Sequence, residues 1–110
     1  MNQVEVPVTV VDGRILVQDE IDLTRKPKDV KIRWVLSTPG WEFTENGIVI
    51  DDSSSQFSDP KRTAGGSEFQ WKDKNDDSRR YKYDVNVQAT DTLGRTLSLD
   101  PTINNGDGGG

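Results

Sequence analysis

Cysteine and histidine are both absent from the 110 residues, which removes disulfides, thiol nucleophiles, imidazole bases and the usual ligands of zinc and copper. Ser-His-Asp and Cys-His catalytic arrangements are therefore impossible, and the glycines form no phosphate-cradling fingerprint ahead of a helix. Long apolar runs are missing too. No segment approaches the ~20 residues of a membrane span, and the stretch from Met1 to Val11 carries Glu5 and Pro7 where a signal peptide needs an uninterrupted apolar core. The chain carries no signal peptide, which leaves its compartment open between the cytoplasm and, for a trimmed exported domain, the outside. Basic charge is in deficit, with 14 Lys and Arg against 19 Asp and Glu. The net charge of −5 repels phosphate backbones and anionic lipid, so neither nucleic acid nor a membrane surface is an expected partner.

What is present suffices for one lean domain. Leu, Ile, Val and Phe total 26 of the 110 residues, above the ~20% level below which charged chains stay disordered. The recurring pattern has period two. Val4, Val6, Val8 and Val10 alternate with mostly polar neighbours, as in a strand with one buried face. Asp12-Gly13 reads as a tight turn, and Ile15 to Val17 as the returning arm. The polar segment 18–29 reads as a loop in which Ile21 and Leu23 tuck under as a short edge. Val30, Ile32, Trp34 and Leu36 share one face of the best central strand in the sequence. Trp41 and Phe43 follow the Pro39-Gly40 break. Asn46-Gly47 is the sequence signal of a hairpin turn, and Ile48 to Ile50 a strand after it. The Ser-, Asp- and Gly-rich stretch 51–67, anchored only by Phe57, reads as a mobile loop. Phe69 and Trp71 alternate, a charged turn covers 72–80, and Tyr81, Tyr83, Val85 and Val87 form the longest clean alternation of the second half. Leu93-Gly94 turns into Thr96 to Leu99. These seven to nine short strands, with turn signals every ~8 to 12 residues, predict an all-β antiparallel sandwich over residues 1–103. Residues 104–110 read as a flexible Gly-rich tail.

Trp34 on a strong early strand, followed by Asp77-Ser78-Arg79-Arg80-Tyr81-Lys82-Tyr83, resembles the core tryptophan and tyrosine corner of immunoglobulin-like domains. In that family an acidic residue stands four positions before the corner tyrosine, and the tyrosine two before an inward position that often holds cysteine. Asp77, Tyr81 and Tyr83 match these places. The run from Val87 to Gly94 is similar to the last hairpin of bacterial immunoglobulin-like and fibronectin-like modules. The resemblance implies structural roles for Trp34, Tyr81 and Tyr83, with Tyr83 or another apolar group filling the cysteine position.

Two constellations carry candidate chemistry. Asp73, Asn75 and Asp77 have the D-x-N-x-D spacing that can wrap oxygen ligands around Ca2+. The sixth and twelfth positions hold Ser78 and Asp84 where an EF-hand loop needs Gly and Glu, and Lys72, Lys74, Arg79 and Arg80 surround the carboxylates. A solvated turn without a cofactor is the stronger reading of this segment. Trp41 and Trp71 lie beside turns, and Phe57 and Arg62 in the polar stretch, so these four residues mark a possible binding surface. The adjacent carboxylates Asp19-Glu20, Asp51-Asp52 and Asp76-Asp77 point to opposite faces on a strand or into water in loops, so no enzyme is expected. The expectation is a non-enzymatic protein-interaction or structural module with a protein partner. The alternative is a calcium-stabilised adhesion or carbohydrate-binding module.

Overall fold

Alternating apolar residues become strands here because each strand has a partner sheet to bury them. The computed structural model describes residues 2–52, 55–91 and 94–108. One sheet has the order β2-β1-β4-β7-β6, built from β1 (Asn2–Val11), β2 (Arg14–Leu16), β4 (Val30–Leu36), β6 (Phe57–Thr63) and β7 (Glu68–Asp73). The other has the order β3-β10-β8-β5, from β3 (Glu20–Leu23), β10 (Thr102–Asn105), β8 (Arg80–Ala89) and β5 (Trp41–Ile50). In that second sheet β9 (Thr96–Leu99) also pairs with β8, against Val85 to Gln88, while β10 pairs with Arg80 to Lys82. This is an all-β sandwich of ten strands among the described residues.

Both sheets are mixed, where the sequence suggested an antiparallel sandwich. β1 runs parallel to β4 and β10 parallel to β3, and each of these pairs is separated in sequence by strands of both sheets rather than joined by a tight turn. The inward rows meet in one core. Val6, Val8, Ile32 and Trp34 of the first sheet face Phe43, Tyr83, Val85, Val87 and Ile103 of the second, all at 1% exposure or less. The Trp34 indole N–H donates to the Tyr83 hydroxyl over 3.2 Å with ring centroids 5.3 Å apart, so the one polar group of each ring is satisfied at the centre of the core. Burial pushes the Tyr83 phenol up to about 12.

The Asp12-Gly13 turn forms as its dipeptide demands, with φ of 52° and 73° at the two corners. Three other expectations are corrected. Asn46-Gly47 is not a turn: β5 runs straight through it, and Trp41 to Phe43 and Ile48 to Ile50 both pair with β8 across a register irregularity. Gly47 is there for space. A Cβ on it would lie 2.6 Å from Phe43 Cβ and 3.0 Å from Phe69 Cδ2, so Gly47→Ala is expected to destabilise by about 2 kcal/mol through overpacking, read as a lower urea midpoint. The 51–67 stretch contains a strand, β6, paired with β7. It lacks alternation because it is an exposed edge, interrupted by Pro60 and by Asp59 at φ 60°, devices that blunt an edge against foreign strands. The ordered chain also passes residue 103. Asn104 pairs with Arg80, and Asn105 and Gly106 are buried, because β10 completes the sheet between β8 and β3. The proposed Leu93-Gly94 turn falls partly outside the described residues.

Candidate functional site: the groove between the β5 and β6 edges

The two sheets part along one side, where the edges of β5 and β6 face each other across a groove of about 320 Å3. Its walls are Ile48, Val49 and Ile50 of β5, Pro60 and Arg62 of β6, and Phe69 and Trp71 of β7. Pairing of Asp51 N–H with the Lys82 carbonyl sets the β5–β8 hydrogen-bonding phase. By the alternation of an antiparallel ladder, the backbone groups of Ile48 and Ile50 then point away from β8, toward the groove. The Trp71 indole N–H donates to the Ile48 carbonyl over 2.9 Å, tying the first sheet to the edge of the second. Val49 is 42% exposed. Arg62 sits at the rim, 3.3 Å from the Glu42 carboxylate.

Of the four surface residues singled out from sequence, Trp71 and Arg62 converge on this groove. Trp41 stands apart, at the start of β5 opposite Ala89, with the Arg95 guanidinium 5.5 Å above its ring in cation–π geometry. Phe57 is corrected from surface to core: it is 8% exposed and meets Tyr81 edge-on at 5.0 Å. The remaining groove residues were not legible because the edge that supplies Pro60 does not look like a strand. Phe57 three residues before Pro60 was the only local signal.

Asp73, Asn75 and Asp77 come together at the end of β7, in a buried hydrogen-bond network. Asp73 Oδ1 accepts the Asn75 backbone N–H at 2.9 Å and Asn105 Nδ2 at 3.1 Å. The Asn75 side chain turns the other way. Its Nδ2 donates to the carbonyls of Leu23, Lys26 and Pro27 at 3.0, 3.1 and 3.0 Å, and its Oδ1 accepts the Gly106 N–H at 2.7 Å. Asp77 Oδ1 accepts from Arg79 N and Asn105 Nδ2, and Oδ2 accepts from the Tyr81 hydroxyl. These side chains splay to join three segments of chain, and among the described residues no group of three acidic side chains is placed to hold a metal ion. Burial, first, and the charges of Asp77 and Asp52 push the Asp73 carboxyl up to about 7, against the opposing pull of its hydrogen bonds.

Elsewhere several surface charges are paired. Arg33 bridges Glu68 at 2.7 Å and Glu5 at 3.2 Å on the outer face of the first sheet, and the hydrogen bond to Arg33 holds the Glu68 carboxyl below its usual range. A shallow depression of about 490 Å3 beside β8 is ringed by Asp51, Asp52, Asp84 and Asp100, with Lys82 among them. Neither the models of known protein families nor the curated proteins contain a match to this chain.

Proposed function

We propose that this chain is a non-catalytic, immunoglobulin-like β-sandwich module that serves protein interaction, and that it takes an extended segment of a partner along the β5 edge, over the groove. The observation that carries the reading is the meeting of the outward Ile48 N–H and Ile50 backbone groups with an apolar wall of Phe69, Trp71 and Val49, the Ile48 carbonyl being held by Trp71. An added strand satisfies the first by main-chain hydrogen bonds and the second by alternate side chains. The hydrogen bond from the Tyr81 hydroxyl to Asp77 and the burial of Trp34 against Tyr83 support the immunoglobulin-like assignment.

The test is selection of extended peptides from a displayed random library on the wild-type domain, followed by titration against Arg62→Glu and Val49→Glu. Selected peptides are expected to lose about tenfold or more in affinity for both variants, a loss of ~1.4 kcal/mol, while the amide spectra stay folded. Peptides indifferent to both substitutions, or shifts mapping to the Asp84–Asp100 depression instead, overturn the assignment of the groove.

A further inference from the structure

Asp73 and Asn105 are each 1% exposed, and each keeps one buried oxygen, Asp73 Oδ2 and Asn105 Oδ1, without a hydrogen-bond partner among the described residues. The same two side chains already share one bond, from Asn105 Nδ2 to Asp73 Oδ1. An ionised carboxylate and a carboxamide oxygen are both acceptors, so a second bond between them is impossible; a neutral carboxyl has an O–H to donate. Two buried acceptors on hydrogen-bonded side chains are thus left without a donor, and leaving each orphaned carries a desolvation penalty.

We infer that Asp73 is held as a neutral carboxylic acid whose Oδ2–H donates to Asn105 Oδ1, and that ionising it releases the end of β10 from the sandwich, making this pair a pH-sensitive latch. The latch position follows from connectivity. Asn105 is the last residue of β10, its backbone N–H donates to the Arg79 carbonyl, and the next residue is held by Asn75 and by Ser78 N–H. Losing the Asp73 proton charges the site at the point where β10 and the 73–79 connection meet.

The groups facing Asp73 favour the neutral form. Asp77 from its own connection and Asp52 from the segment after β5 both act on it as like charges. Gln56 brings Asp76 to the site through its side-chain amide, and Tyr81 of β8 arrives through Asp77. Lys26 and Lys74 take part only through backbone groups in the bonds around Asn75 and Gln56. No cationic side chain is among the groups that shift Asp73.

The sign follows from a folded-state pKa raised from 3.8 to about 7. Stability from this group is fully present below about pH 4 and is lost as pH climbs from there through about 7, the folded-to-unfolded ratio falling by up to ~tenfold per pH unit in that window. Asp22, Asp59 and Glu68, held low by hydrogen bonds from Thr24, Lys72 and Arg33, act oppositely and only at the acid end. The chain has no histidine, the side chain that ordinarily titrates near neutrality.

The experiment follows the side-chain carboxyl carbon of Asp73 by NMR from pH 4 to 9, with hydrogen exchange of the 102–106 amides. A carboxyl midpoint near 7, with the Asn105 side-chain amide shifting at the same midpoint and faster exchange of β10 above it, is expected. Asp73→Asn supplies an N–H where the acid had its O–H, so its unfolding midpoint is expected to be flat between pH 5 and 8 where the wild type declines. A wild-type carboxyl titrating below 5 overturns the inference. So does a saturable shift of Asp73 and Asn105 on adding calcium chloride at pH 7, which would assign the orphan oxygens to a cation. If Asp73→Asn fails to fold, the wild-type titration decides alone.

Discussion

Asn75→Ala is expected to cost about 3 kcal/mol of folding free energy, although it removes a small polar side chain beside a surface turn. Asn75 is 0% exposed, and its amide ties its own connection to the 23–27 segment and to Gly106. Its loss leaves the Gly106 N–H and the Lys26 and Pro27 carbonyls without the partners they have now, and each buried orphan costs ~1 to 3 kcal/mol, less where water enters. Asn75 also sits at φ 54°, a left-handed conformation that Asn tolerates better than Ala. Urea unfolding with an unchanged m-value is the measurement. Asn75→Asp is expected to be worse, because a carboxylate offers nothing to the carbonyls and adds charge beside Asp73. A loss below ~1 kcal/mol for Asn75→Ala would show that the network is replaceable by solvent.

The larger effect belongs to Trp34. Trp34→Ala is expected to destabilise by about 4 kcal/mol, the range for truncating a fully buried aromatic, since the ring is 0% exposed between the sheets. A domain with this little apolar residue to spare has a small margin, so the variant is expected to be largely unfolded at 37 °C, seen as collapse of the dispersed amide spectrum. Tyr83→Phe separates the hydrogen bond from the packing. It keeps the ring and removes the acceptor of the Trp34 N–H, for a loss of about 1 to 2 kcal/mol. A Trp34→Ala domain that stays fully folded would mean that the two sheets repack without it.

Much of the scaffold was legible because burial writes itself into a strand as a period of two. The rows Val4 to Val10, Val30 to Leu36 and Tyr81 to Val87 each became a strand with the expected face inward. Burial of Trp34, Tyr81 and Tyr83 followed the same logic. Elements without that period were missed. β6 is exposed at most of its positions, and β10 is only four residues long, so neither carries a local signature. Asn46-Gly47 misled because a Gly chosen for close approach to Phe43 looks the same in sequence as a Gly chosen for positive φ.

The functional residues divide in the same way. Trp71 and Arg62 could be noticed one at a time, as an aromatic and a charge near turns, but their meeting across the groove depends on β6 lying beside β7 and facing β5. The D-x-N-x-D spacing was visible, whereas the use of its oxygens was not. Asn105, Gln56 and the 23–27 carbonyls lie far away in the chain, and they converge on Asp73 and Asn75 only when β10 closes against β3 and β8. The amino-acid order therefore determined the all-β class, the inward faces and the exclusion of cysteine and histidine chemistry, because composition and period act locally. Strand order, the groove and the buried Asp73–Asn105 pair were decided by tertiary structure, because edge pairing and desolvation depend on neighbours that the chain brings from a distance.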